Sequence, residues 1–468
     1  SEGTAALAAR ICRRLDGIPL AIELAAARVG VLTLEQIAAR LEGRLRLVAS
    51  DEHAVDGRQR TLRAAFDWSH ALMNHQERLL FSRLAVFAGS CSLDGVRGVC
   101  ASDGISDYEV PQLLGRLVEK SVLLVQETAG DRRYRVPDSL GLYARGRLVS
   151  AGEAEKMRRR QALYYLGLAE AIEPELWEAD LAKRLDRLEI EHGNLRAALH
   201  WALDSGEAEI ALRLGSALWR FWQVHGHLTE GLHWLTRSLD LTAEIDPDVR
   251  ARALDAAGNI ARSLASYGRA SSFYRQSLQL RRALNDPRGS ALALNKLGVV
   301  AQLRGDYESA VAMHQESLSL FRQLDDQPGV AVALLTLGMM VQLQGDLGKA
   351  RELYQESATV FGALQDARGL AACLNNLGNV ASDSGKYPAS LRFYNQALAL
   401  FRELGDVAEV AACLKNLATA EFAAGDYAIS AGLCRDSLAL FGELNDTRGI
   451  GSCIGLLANV AGNSQQFE

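Results

Sequence analysis

His225 and His227 flank Gly226, and two imidazoles so placed at a turn could share a transition-metal ion. A metal centre needs at least a third protein donor. None lies near in sequence, so no metal site is expected. His192 and His200 lie eight apart on a predicted helix and read as surface residues. The 7 cysteines form no Cys-x-x-Cys pair and no Cys/His cluster at ligand spacing. Cys373, Cys413 and Cys453 stand 40 residues apart, in a column that also holds Ala293 and Ala333. A position that accepts Ala or Cys is a small buried packing site, so these are expected to be reduced thiols. No Gly-x-x-x-x-Gly-Lys-Ser/Thr run occurs. The amide nest, the lysine and the hydroxyl that hold nucleotide phosphates and magnesium are therefore missing. With no Ser/His/Asp order or isolated carboxylate pair either, the chain is not expected to be an enzyme.

Side-chain amides offer a different chemistry. An asparagine can bond both the N–H and the C=O of an extended peptide. Asn259, Asn295, Asn375, Asn379 and Lys415 fall at inward polar positions of the first predicted helix of successive repeats, interrupted by Leu335 and Met339, which would offer apolar pockets. The competing expectation is that Asn375 and Asn376 serve packing between adjacent helices. What sets this register is a repeat. Gly305, Gly345, Gly385 and Gly425 recur every 40 residues, as do Leu284 to Leu444 and Asp286 to Asp446. Such self-similarity marks a solenoid whose units bury their apolar faces only against neighbours.

In one unit, helix A runs from about Ala291 to Leu303, with Leu294, Leu297 and Ala301 on one face. Gly305-Asp306-Tyr307 breaks it. Helix B runs from about Tyr307 to Leu324, and Asp325 to Gly329 supply turn residues. Units begin near 251, 291, 331, 371 and 411, with a last helix from Gly451 and a degenerate unit at 208–243. The unit resembles the tetratricopeptide repeat at Leu294, Leu297, Gly298, Ala301, Ala310 and Tyr354, loosening from Gly338 and Gly378 to Ala418 and Ala458. In that class helix A lines the concave side, which implies that the asparagine column faces a peptide or protein effector.

Upstream the pattern changes. Residues 155–205 read as a helical connector. Helical patterns at Thr61–Leu72, Asn74–Phe87 and Tyr108–Lys120 precede two apolar runs, Ser121–Gln126 and Arg133–Val136, around a turn. Three helices and a hairpin make a winged-helix layout. Its candidate recognition helix carries only Arg116 and Lys120 against Glu119, so DNA contact there is not expected. Charge divides along the chain. Residues 1–160 hold 24 Lys+Arg and 20 Asp+Glu, while the remainder holds 27 and 37 of the totals 51 and 57. An acidic repeat region disfavours a phosphate-backbone ligand. No run of 18 apolar residues occurs, and a cytoplasmic protein is expected.

Residues 11–29, with Gly17-Ile18-Pro19-Leu20-Ala21, resemble the Gly-x-Pro-Leu-Ala segment of the helical subdomain in NB-ARC-type STAND signalling ATPases. Gln59–Trp68 and Leu79–Phe87 are similar to the winged helix that follows in bacterial members, many of them fused to transcription factors. The resemblance implies an all-α-dominated chain in four parts. These are a helical subdomain (1–60), a winged helix (61–150), a connector (151–207) and a right-handed solenoid (208–468). It implies a switch in which a P-loop domain outside this chain binds ATP or ADP with magnesium, while the repeats sense a ligand. Pro19 matches the proline packed on adenine. Val136-Pro137-Asp138 aligns with the family's Met-His-Asp motif; Asp138 is kept, or else serves as N-cap of a helix over Ser139–Leu148. DNA would be met only through a domain outside the chain, which reads as part of something longer. A constitutive protein-binding scaffold is the alternative.

Overall fold

The computed structural model describes residues 2–15, 19–29, 32–39, 57–128, 130–177, 181–241 and 244–464. The chain forms two compact units, Ser1–Val249 and Arg250–Glu468.

In the first unit, helices Glu2–Arg14 and Pro19–Ala26 pack with a short helical stretch at 34–39 on helix Gly57–Ala71. Ile11, Leu15, Ala25, Ile37 and Trp68 are buried together there. Helix His75–Arg83 starts at a capping box, in which Asn74 Oδ1 accepts from Glu77 N–H and Glu77 accepts from Asn74 N–H. Helix Val110–Glu119 buries Leu113, Leu114 and Leu117. The expected hairpin is present as β2 (Leu124–Thr128) and β3 (Asp131–Arg135), but it has a partner the sequence did not announce. The three-residue strand β1 (Ser90–Ser92) pairs antiparallel with β3, giving the order β1-β3-β2. Three residues are too few to show alternation, and the strand exists because β3 offers it an edge. Helices Asp138–Ser150, Ala154–Ile172, Leu181–Ile190 and His192–Asp204 follow, then the pair Ala208–Val224 and Leu228–Leu239.

In the second unit each 40-residue period is a helical pair. The A helices are Pro247–Ser263, Pro287–Leu303, Gln327–Leu343, Ala367–Asp383, Val407–Ala424 and Thr447–Ser464. The B helices are Tyr267–Ala283, Tyr307–Gln323, Leu347–Ala363, Tyr387–Glu403 and Tyr427–Glu443. The A helices begin about four residues earlier than the sequence suggested. Pro328 and Gly329, read as turn residues, lie in the first helical turn. There a proline loses no hydrogen bond, and a Cβ on Gly329 would stand 2.3 Å from Phe321 Cδ1.

The aspartate column explains the earlier start. Asp286, Asp326, Asp366, Asp406 and Asp446 each accept the backbone N–H three residues on, at 2.8, 3.0, 2.9, 3.3 and 3.1 Å. They cap the last five A helices at their N-termini. Gly305, Gly345, Gly385 and Gly425 turn the chain from A to B at φ of 79°, 88°, 70° and 97°, where a Cβ is costly.

One close contact recurs within the pairs. Tyr274, Tyr354 and Tyr394 of the B helices lie against Gly258, Gly338 and Gly378 of the A helices, where a Cβ would come within 2.4, 2.7 and 2.5 Å of the ring. In the next unit the glycine gives way to Ala418, and the B-helix residue at the tyrosine position is the smaller Cys434. The loosened repeat signal is thus a matched change of size on both sides of one interface. Cys373, Cys413 and Cys453 are buried free thiols, as the Ala/Cys column implied. Burial pushes the first two up to about 11 and about 12.

Candidate functional site

Asn295, Leu335, Asn375 and Lys415 form one column of the A helices, headed by Asp255. Asn259, Met339 and Asn379 occupy a second, one turn on. Met339 is 37% exposed and the rest of the predicted residues are half-buried. The structure divides positions that the sequence treated as alike. Asn259 Oδ1 accepts from the Tyr274 hydroxyl at 2.8 Å, and Asn379 Oδ1 from the Tyr394 hydroxyl at 2.7 Å. Asn295 Oδ1 accepts from Thr336 Oγ1, and Asn375 Oδ1 from Asn416 Nδ2, both at 3.2 Å across neighbouring repeats. Asn379 Nδ2 donates to Asn376 Oδ1 at 3.2 Å. The acceptor oxygens therefore serve the solenoid, which corrects the expectation of amides free on both ends. The Nδ2 groups of Asn259, Asn295 and Asn375 have no hydrogen bond among the described residues.

Sequence reasoning missed the partners of this column. Lys296, Thr336 and Asn416 stand 41 residues after Asp255, Asn295 and Asn375, and each bonds back to the preceding repeat. That recurring offset was the available signal. Lys296 Nζ lies 3.4 Å from Asp255 Oδ2, which Arg281 also reaches at 2.8 Å. Burial draws the Lys296 ammonium below its usual range. Leu335 packs on two buried clusters, around Tyr354 and around Phe361, so it belongs largely to the core.

Between helices Leu347–Ala363, Ala367–Asp383 and Tyr387–Glu403 lies a cavity of about 460 Å³, lined by Leu377, Val380 and Phe393 and rimmed by Arg351 and Lys386. Neither cation has an ion pair among the described residues. The cavity suits an apolar side chain next to an acidic group.

In the first unit, Gly17 and Ile18 lie outside the described residues, as does the Pro19 side chain; Pro19 opens its helix. Asp138 is not an N-cap. It sits inside the helix, with its side chain 87% exposed and paired to Arg135 at 2.9 Å. Lys120 of the candidate recognition helix is engaged by Glu77, which leaves that helix still less basic. The hairpin is instead fixed inward. Arg133 donates to Glu191 Oε1 at 2.6 Å, to Ser90 Oγ at 2.9 Å and to Ser90 O at 3.0 Å. Tyr165 and Asn194 donate to Glu191 Oε2 at 2.9 and 2.8 Å. One buried carboxylate thus ties sheet, connector helix Ala154–Ile172 and helix His192–Asp204 together.

Residues 289–362 and 369–443 match the family model described as tetratricopeptide repeat, and the solenoid is built of these repeats. Over 254 residues, 53% of the chain, it is 40% identical to "Putative HTH-type transcriptional regulator Rv0890c" of Mycobacterium tuberculosis, spanning only 29% of that protein. Over 160 residues it is 46% identical to "Uncharacterized protein Rv0894" of the same organism, spanning 40% of it. Among solved structures, a STAND protein with a tetratricopeptide repeat sensor from Pyrococcus horikoshii aligns over 95% of this chain and 69% of its own, at 14% identity and a TM-score of 0.47. The apo form of RapI aligns over 61% and 98%, at 13% identity and 0.47. Among the described residues, no helix is long and apolar enough to cross a membrane.

Proposed function

We propose that this chain is the sensing and relay portion of a STAND-type switch in a transcriptional regulator. The tetratricopeptide repeats take a peptide or protein effector along the A-helix column. The observation that carries this reading is the row of Asn259, Asn295 and Asn375 amide donors, unengaged among the described residues, in the solenoid that also holds the cation-rimmed apolar cavity. Donors of this kind hold the carbonyls of an extended segment, while the cavity takes one apolar residue followed by an acidic one. The name of the 40% identical Mycobacterium tuberculosis relative, a transcriptional regulator, supports transcription as the output.

The relay rests on the Glu191 junction, through which the hairpin and the connector helices move as one body. A winged helix fixed in this way docks on a nucleotide-binding domain outside this chain. The residues here do not make a phosphate cradle, so no step passes through nucleotide within this chain and no catalytic role is assigned to it. Coupling requires the effector to bind two states with different affinity.

Peptides selected by display on the purified chain test the surface. Asn295→Asp and Asn375→Asp keep the acceptor oxygens that bond Thr336 and Asn416 and remove the outward donors. Affinity should fall at least about tenfold, about 1.4 kcal/mol, with an unchanged unfolding midpoint; Arg351→Glu should reject acidic peptides. Unchanged affinity in all three variants refutes the surface. In a full-length regulator containing this chain, equal effector affinity with ADP and with an ATP analogue makes the repeats a constitutive scaffold and ends the switch reading.

A further inference from the structure

The strongest unassigned chemistry lies in the first unit, where the fold supplies the ligands that the sequence around His225 and His227 lacked. Helix Leu181–Ile190 ends near Glu189, helix His192–Asp204 begins with His192, and the turn between Ala208–Val224 and Leu228–Leu239 carries His225 and His227. Glu189, His192 and His227 each place one donor atom within 4.8 Å of the other two. His227 Nε2 and His225 Nδ1 both face Glu189 Oε2, at 3.1 and 3.4 Å. His192 Nδ1 is 4.0 Å from Glu189 Oε1, and its ring centroid is 4.4 Å from that of His227.

His192 was expected on the surface, yet it is 7% exposed. Its Nε2 is buried without a hydrogen bond, 3.7 Å from Glu230 Oε1. A buried ring with one nitrogen unpartnered is costly unless something else uses its lone pair or proton. Glu230 is itself held by Arg196 Nε at 2.5 Å and Trp234 Nε1 at 3.0 Å. It is a fixed carboxylate behind a ligand imidazole, the arrangement that orients metal-bound histidines.

We propose that Glu189, His192 and His227, with His225 as fourth donor, form a zinc-type transition-metal site. Imidazoles with one carboxylate suit borderline-soft Zn²⁺, Co²⁺ or Ni²⁺, whereas Mg²⁺ and Ca²⁺ demand oxygen ligands. Bonds of about 2.0–2.1 Å at tetrahedral angles require donors about 3.3 Å apart. The present spacing closes to that by rotation of side chains on a turn and two helix ends. The bound ion joins the Glu189–His192 corner to the turn at 225–227, and so fixes that turn to the connector two residues from Glu191.

Zn²⁺ alone, titrated into the purified chain against a chromophoric chelator, should bind at one equivalent. Co²⁺ should give the intense visible absorption of a four-coordinate site. Glu189→Gln and His227→Ala should each weaken binding at least about tenfold, while His200→Ala and His233→Ala, on exposed rings, leave it unchanged. Zn²⁺ should raise the unfolding midpoint of the wild type and not of Glu189→Gln. Glu189 is exposed, so its variant keeps the fold and decides the matter should His227→Ala lose structure. Stoichiometry below one-tenth, a hexaaqua-like Co²⁺ spectrum, or undiminished affinity in Glu189→Gln overturns the site.

Discussion

Acidification should destabilise the solenoid through His314. This residue stands in the B-helix column that also holds Tyr274, Tyr354, Tyr394 and Cys434, and it is 0% exposed. Its ring lies against Gly298, where a Cβ would come within 2.6 Å of Cε1. Nδ1 is 3.4 Å from Thr336 Oγ1, and Nε2 has no partner. Burial alone lowers its pKa from 6.5 to about 4. The unfolded chain takes up the proton near pH 6.5, and the folded chain only near pH 4. Stability is therefore complete above about 6.5 and declines as pH falls through that window. At about 1.36 kcal/mol per pH unit, the interval amounts to about 3 kcal/mol. Urea denaturation of the wild type and His314→Tyr from pH 7.5 to pH 4 isolates this contribution, because the carboxylates common to both cancel. The new hydroxyl has an acceptor in Gln302, which stands where Gln342 receives the Tyr354 hydroxyl at 2.9 Å. The stability difference between the two proteins should be flat above pH 7 and widen by about 3 kcal/mol by pH 4. Parallel curves would refute the argument.

Three further outcomes follow from the packing. Gly378→Ala should cost about 1–3 kcal/mol, because its Cβ would stand 2.5 Å from Tyr394 Cε1. Combining it with Tyr394→Cys, in imitation of Ala418 and Cys434, should give less than the sum of the single costs; additivity in a double-mutant cycle counts against the size-matching account. Asp366→Ala removes the bond to Gly369 N–H and should cost about 1 kcal/mol in chemical denaturation, whereas Asp426→Ala, at a helix start without a side-chain cap, should cost less than about 0.5 kcal/mol. Arg133→Ala strands the buried Glu191 carboxylate and should cost about 3–5 kcal/mol, with hydrogen exchange rising first in β1 and β3. Protection confined to its wild-type pattern would mean that the hairpin is held by something other than this pair.

Much of the solenoid was legible because its determinants are local. A glycine at positive φ, an aspartate three residues before the N–H it caps and a 3.6-residue apolar period all act within one turn, and a 40-residue repeat writes them several times over. The helix starts were misplaced by a turn because Pro328 and Gly329 are turn residues by propensity, and only the Asp326 cap and the nearby Phe321 ring make them helical. The asparagine columns were visible as columns. Which end of each amide is engaged was not, because Thr336, Asn416, Tyr274 and Tyr394 reach it from other helices. β1 was invisible for the same reason, and so was the inward role of Arg133.

From its sequence alone the chain determines a tetratricopeptide solenoid, buried cysteines at an Ala/Cys position and the lack of a phosphate loop. Each follows from residue type at fixed short spacing. Tertiary structure alone decides what meets at long range. It joins Arg133 to Glu191, divides Asn259, Asn295 and Asn375 into a bound oxygen and a free amide, and brings Glu189 and His192 beside His225 and His227. Those encounters depend on how helices pack, and packing is set by the shapes of whole faces; only the 41-residue offset of Thr336 and Asn416 leaves a trace along the chain.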